Sequence, residues 1–176
     1  MTGRPHRLRA ATDADRPALA ALQVAGWRDA YAALIPADYL AGAFAGDVEQ
    51  RWRDLEIGPD DVVLAAEAPD GALDGFITVW SRATPYIDNL HVRPGLRGGG
   101  VGRRLMAEAA RRLAAQGRDA VELTVAVRNL RARAFYARLG GVEGEETRRP
   151  SFGAVIFHCL PVRWTSLAPL VAADAA

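Results

Sequence analysis

Between Tyr86 and Leu113 the chain runs from a short alternating segment, through four glycines in five positions, directly into a helical pattern. Tyr86–Val92 reads as a strand, and Pro94 separates it from Gly98, Gly99, Gly100 and Gly102. Val101, Leu105, Ala109 and Leu113 then recur every four residues, which predicts a helix to about Gln116 with Gly117 at its C-terminus. A strand that feeds a helix through a glycine turn restricts the chain to folds in which helices pack on a sheet. It also creates a particular chemistry. Helix starts carry unpaired N–H groups and roughly half a positive charge, so they favour anionic phosphates. Glycine lets backbone approach such oxygens closely. Arg97 and Arg103 flank the turn with guanidinium groups suited to a diphosphate.

Several phosphate-binding turns share this outline. The nucleotide-triphosphate loop requires Gly-Lys-Ser/Thr at the helix start, but here the chain reads Gly102-Arg103-Arg104 and contains no lysine at all. The dinucleotide fingerprint requires G-x-G-x-x-G/A. Counting from Gly100 its last position is Leu105, and counting from Gly98 it is Arg103, so both fail. Glu122 then mimics the ribose-binding acid by coincidence. A merely flexible loop would not place glycines between a strand end and an arginine-flanked helix start.

The rest of the chain supplies the context. Its 176 residues, half of them hydrophobic, fit one domain over residues 1–176, with 165–176 as a tail. No apolar run reaches the ~18–20 residues of a membrane span, and the N-terminus lacks the apolar stretch of a secretory signal. The lone Cys159 excludes an internal disulfide, no metal-ligand spacing is present, and a net charge of +1 argues against nucleic acid. A cytoplasmic protein without membrane or metal is expected. The predicted order is β-α-α-β-β-β-α-β-α-β-β: a strand at 6–10, a helix from Thr12 or Asp13 to about Ala25, and a broken helical region to Gly58-Pro59. Strands follow at 62–66, 72–81, 86–92 and 120–127, with the glycine-led helix before the last of these. A short helix at 130–139 and strands at 142–147 and 154–160 complete the chain. Such an order makes a mixed, mostly antiparallel sheet flanked by helices, an α/β (α+β) domain. The apolar tail, if exposed, would suit a homodimer.

Arg97-x-x-Gly100-x-Gly102 resembles the R/Q-x-x-G-x-G/A motif of the GNAT N-acetyltransferase superfamily. Leu90-x-Val92 on the preceding strand is similar to the same family, and so is Asn129-x-x-Ala132-x-x-Phe135-Tyr136 one helix and one strand later. The element order agrees with that fold along nearly the whole chain. Trp27-Arg28-x-x-Tyr31-x-x-Leu34-Ile35-Pro36-x-x-Tyr39-Leu40 looks like a recurring pattern of its bacterial members.

The resemblance implies acetyl transfer from acetyl-CoA to a primary amine of a small molecule, peptide or protein. The alternative is a non-catalytic acyl-CoA-binding or sensor module on the same fold. It implies that residues 97–103 (Arg97, Gly98, Gly99, Gly100, Val101, Gly102, Arg103) hold the pyrophosphate, and that the backbone of Leu90, His91 and Val92 receives the pantetheine arm. A backbone N–H near Leu90 or His91 would polarise the thioester carbonyl. Tyr136 is the implied general acid, against the plain reading of a core aromatic beside Phe135. Asn129 either contacts the cofactor or caps its helix. Asp88, two positions before Leu90 and so expected on the same strand face, is the candidate base or amine ligand, against a solvated strand-end carboxylate. Trp27, Tyr31 and Trp80, with Tyr39 and Tyr86, are candidate walls of the acceptor pocket, although each is individually a normal core residue. His158 and Cys159 are adjacent on a strand, point to opposite faces and form no dyad.

Overall fold

β-branched and aromatic residues spaced for a pleated sheet set the centre of the molecule. The structure, a computed structural model, describes residues 6–150 and 155–173. Strands β2 (Val62–Glu67), β3 (Leu73–Trp80) and β4 (Tyr86–Val92) form an antiparallel meander, with β1 (Arg7–Ala10) added outside β2. The second half adds β5 (Val121–Ala126), β6 (Val142–Glu143), β7 (Thr147–Pro150) and β8 (Ile156–Trp164). Spatial order is β1-β2-β3-β4-β5-β8-β6, with β7 also on β8. Every neighbouring pair is antiparallel except β4 with β5. This is the mixed sheet expected, and the position of its parallel step matters below.

Helices cover both faces. One face of β2 and β3 (Val63, Ala65, Phe76) packs on α1 (Arg16–Tyr31), α2 (Ala37–Ala41) and α3 (Phe44–Asp54) through Leu19, Leu22, Leu40, Phe44, Val48 and Trp52. The other face (Leu64, Ile77, Val79) packs on Val101, Leu105 and Met106 of α4 (Val101–Ala115). Each fully buried Leu or Phe contributes about 1.5–3 kcal/mol, so the two layers are anchored independently. Gln23 is buried in α1 because its amide oxygen accepts from Trp52 Nε1 at 2.8 Å. Without that bond the buried indole N–H would go unpaired.

The structure revises several expected boundaries. The first helix is preceded by a 3-10 turn (Asp13–Asp15), closed as the Asp15 carboxylate accepts from the Thr12 N–H at 2.7 Å. It then continues six residues past Ala25 to Tyr31, since Gly26 does not interrupt it. Gly42 separates α2 from α3, whereas Gly46 lies inside α3. The strand expected at 142–147 is two pieces, β6 and β7, both paired to β8. The start of the last expected strand, Ala154, lies outside the described residues, and its described part runs on to Trp164. The tail carries α6 (Ala168–Ala172), which buries Leu167 and Leu170 against the α4 side. These two leucines of the tail, expected to be exposed, are therefore buried within the chain itself; the last three residues of the tail lie outside the described residues. α5 (Leu130–Arg138) follows β5. Among the described residues no helix is long and apolar enough to cross a membrane.

Gly75 of β3 sits where β4 and α4 converge. A Cβ there would lie 2.8 Å from the His91 carbonyl oxygen and 3.3 Å from Val101 and Leu105 side chains. Backbone cannot yield as a flexible side chain can. Gly75→Ala is therefore expected to cost ~1–3 kcal/mol by overpacking, read as a lower urea midpoint at unchanged m-value.

Candidate active site

The parallel step in the sheet opens the site. β4 and β5 are in register only at Tyr86–Glu122 and Ile87–Leu123, and beyond those pairs they part. Arg93 N–H donates to the Asp74 carbonyl at 2.7 Å, which fixes the antiparallel alternation of β4 on β3. The backbone groups of His91 and Asn89 therefore face β3, and those of Leu90 and Val92 face the opening. Of the two positions expected to offer a backbone donor, Leu90 turns its N–H to the opening, with Val92 beside it, and His91 does not.

The opening leads to the start of α4. Gly100 caps this helix with φ +84°, a left-handed conformation that a residue with a Cβ adopts only at a cost. The first intrahelical bond runs from Arg104 N–H to the Gly100 carbonyl at 3.0 Å. The N–H groups of Val101, Gly102 and Arg103 thus have no partner within the helix. A cavity of about 1180 Å³ runs from this helix start along Leu90–Val92 to Asn129 and Tyr136, and Arg97, Gly98, Gly99 and Arg103 also line it. The whole glycine turn and the second motif therefore meet in one cleft. Free N–H donors, an open strand edge and flanking guanidinium groups fit a phosphorylated, amide-containing ligand such as acetyl-CoA.

Asp29 of α1, the shared partner of two arginines that line this cleft, carries no sequence signal. Its carboxylate accepts from both Arg97 and, at 2.6 Å, Arg131 of α5, and the two guanidinium groups hold its pKa below the usual carboxylate range. It lies between Arg28 and Ala30 with no local sequence signal, because both partners come from distant segments. Arg133 instead pairs with Glu143 at 2.7 Å, outside the cleft contacts. Asn129 caps α5: its Oδ1 accepts from Ala132 N–H at 3.2 Å, while its Nδ2 donates to the Tyr31 hydroxyl at 3.4 Å.

Tyr136 packs edge-on against Phe135 and Trp164, with centroids 5.4 and 6.0 Å away. Burial, reinforced by Tyr31 and Tyr86, raises its pKa well above the ordinary phenol value, so it holds its proton at neutral pH. Its hydroxyl makes no hydrogen bond among the described residues. His91 has its pKa pushed down to about 4, mainly by burial and then by Arg97. Its ring lies 5.4 Å from Phe76, and a Cβ at Gly26 would overlap its Nδ1.

A second cavity of about 490 Å³ adjoins the first on the α1 and α3 side. Both are lined by Trp27, Tyr31, Asp88, Asn89 and Thr124, which mark where they meet. Trp27 and Tyr31 stack with each other (5.0 Å) and with Phe157 (6.0 and 5.3 Å), so these expected wall residues are in place. Trp80 and Tyr39 line neither cavity. Trp80 belongs to β3, which β4 separates from the opening, and packs on the α1–α3 layer. The Tyr39 hydroxyl donates to Asp47 at 2.5 Å. Tyr86, at the root of the opening, does line the second cavity.

Asp88 differs from its expected orientation. The β3–β4 register shifts between Thr78 and Val79, whose partners are Asn89 and Ile87, so Asp88 sits in a bulge without a partner. It points toward α3, where its Oδ2 accepts from Arg51 at 2.7 Å and from Asn89 at 3.0 Å, whereas Leu90 packs with the α4 face. Strict alternation had placed the two together. Oδ1 of Asp88 has no partner among the described residues. His158 and Cys159 do diverge: His158 is exposed and meets Glu146, and Cys159 is buried. Among the described residues no group of three metal-ligating side chains occurs.

A family model for the acetyltransferase (GNAT) family matches residues 27–141. Among solved structures, PaiA N-acetyltransferase from Thermoplasma acidophilum, in complex with coenzyme A, is 18% identical, with TM-score 0.65, covering 91% of this chain and 99% of that one. A GCN5-related N-acetyltransferase from Rhodopseudomonas palustris is 22% identical, with TM-score 0.71 over 92% and 96% of the two chains. Ribosomal-protein-alanine N-acetyltransferase from Brucella melitensis is 23% identical, with TM-score 0.63 over 90% and 98%. These likenesses establish a common fold. No curated protein matches the chain significantly.

The depressed His91 pKa makes a sign-definite prediction. His91 is neutral when folded and takes up a proton near pH 6.5 when unfolded, so its contribution is complete above pH 6.5 and is lost as pH falls toward 4. Between pH 7 and 4.5 the wild type is expected to lose ~2 kcal/mol through this residue. His91→Asn should flatten that part of a urea-stability profile.

Proposed function

The chain belongs to the acetyltransferase (GNAT) family, and on that premise we propose that it transfers an acetyl group from acetyl-CoA to a primary amine. One observation carries the reading. A cleft that ends on the unpaired N–H groups of α4 meets a separate aromatic cavity beside the cleft-lining Tyr136. Two reactants can therefore approach one point from opposite sides of β4, which converts an encounter into a positioned reaction. The coenzyme A complex of the Thermoplasma structure is consistent with such a cleft.

Acetyl-CoA supplies an activated thioester: its C–S bond breaks as the amine nitrogen forms a C–N bond to the acetyl carbon. In the proposal, the α4 start with Arg97 and Arg103 binds the diphosphate. Leu90 and Val92 extend backbone hydrogen bonds to the pantetheine arm, in the manner of an added strand. A donor fixed at the Leu90 N–H stabilises charge that develops on the carbonyl oxygen. Tyr136, kept protonated by burial, gives its proton to the departing sulfur. Asp88 offers Oδ1 at the junction of the cavities, where it holds the acceptor amine or the water that takes the amine's proton. No lysine or metal is required by any of these roles.

Calorimetric titration tests the donor half. Saturable binding of acetyl-CoA, with none of NAD or ATP, is expected; tighter binding of either control would overturn the assignment of the glycine turn. Tyr136→Phe separates catalysis from binding. It should leave the acetyl-CoA dissociation constant unchanged and lower kcat by ~10²-fold, the scale of a lost general acid. Equal loss of both would mean that the tyrosine only supports the cleft wall, and full turnover would remove it from the mechanism.

A further inference from the structure

The second cavity carries an unusual charge arrangement for a site that receives an amine. Among the described residues, Arg51, Arg82 and Arg149 line it, and Asp88 is the only acidic lining residue, already paired to Arg51. Counting lining charges, three arginines against one aspartate leave +2. The guanidinium groups of Arg82 and Arg149 both lie over the ring of Tyr86, 4.7 and 5.9 Å from its centroid. Neither makes an ion pair among the described residues. Arg149 is held on this face by register: it pairs with Phe157 on β8, and Phe157 is itself a wall of the cavity. Stacking on Tyr86 restrains both cations without neutralising them.

Two cations without acidic partners, fixed around one aromatic ring, form a receptor for an anion. A polycationic acceptor would instead meet repulsion from the same pair. The volume of about 490 Å³ suits a small molecule rather than a folded partner. We propose that the acceptor is a small amine bearing an anionic group, carboxylate or phosphonate, which Arg82 and Arg149 hold while its amine reaches Asp88 and the cleft. The inference rests on the acetyl transfer proposed above and names its substrate class.

The two anions share one chemistry, and a matched panel tells them apart. Wild-type protein is supplied with acetyl-CoA and each of three sets: L-α-amino acids with their carboxamides and decarboxylated amines, aminoalkylphosphonates of equal chain length, and spermidine. Thiol release is followed and acetylated products are identified by mass. The expected result is a kcat/KM at least ~10-fold higher for the anionic member of a matched set than for its neutral or cationic counterparts, the scale of one lost charge-assisted contact. Arg82→Gln/Arg149→Gln should shrink that preference by ~10-fold through KM, with calorimetric acetyl-CoA affinity retained to show that the protein is folded. Preference for carboxylate or for phosphonate identifies the anion. Equal or better turnover of the neutral amines or spermidine, or a preference unaltered in the double variant, overturns the inference while leaving acetyl transfer intact. Absence of acetyl-CoA binding would instead overturn the underlying reading.

Discussion

The separation of β4 from β5 is the constraint on which the rest of the structure depends. Two parallel strands normally share evenly spaced hydrogen bonds along their length. Here the pairing stops after Ile87 and Leu123, and backbone groups that a continuous sheet would have consumed are left facing a cleft. An isolated gap of this kind would be costly, because buried backbone groups require partners. It persists because each strand is secured on its other side, β4 along most of β3 and β5 along six residues of β8. The helices on both faces then hold the two halves apart: α4 and α5 from one side, and α1 with its aromatic residues from the other.

Charge in the cleft follows from the same geometry. Arg97 belongs to the glycine turn and Arg131 to α5, and the parted strands bring them to a shared carboxylate, Asp29. Such partly exposed ion pairs add little to stability. Their effect is to restrict two long side chains near the helix start, which leaves less rotamer entropy in both.

Local pattern made much of this legible. Glycines between a strand and a helix, and an asparagine seven residues before a tyrosine, are short-range signals whose physical meaning survives folding. Gly100 does take the left-handed cap and Asn129 does cap α5. What the sequence concealed was of longer range. The bulge at Asp88 is a property of the β3–β4 register, so counting along β4 alone assigned it the wrong face. Trp80 looked like a wall residue by type, but its strand lies one place too far from the opening. Asp29, Arg82 and Arg149 carry no motif, and only tertiary approach gives them common partners. The tail was unreadable for a similar reason. Five helical residues cannot stabilise themselves, and α6 exists because Leu167 and Leu170 find the α4 side.

Burial also explains how one cleft can serve opposite protonation demands. The same loss of solvent that keeps Tyr136 protonated keeps His91 unprotonated, since in each case the charged form is the one penalised. A neutral His91 adds no further cation to a turn already carrying Arg97 and Arg103, so its position beneath the turn is an apolar contact with Phe76 rather than a charge. Asp88 stands outside this regime. Its bulge places it where the two cavities meet, with its Oδ2 accepting from Arg51. The β4 strand thus presents two chemistries a few residues apart: unpaired backbone donors at Leu90 and Val92 toward the cleft, and a carboxylate toward the second cavity. A single-residue bulge is what allows them to face different ways.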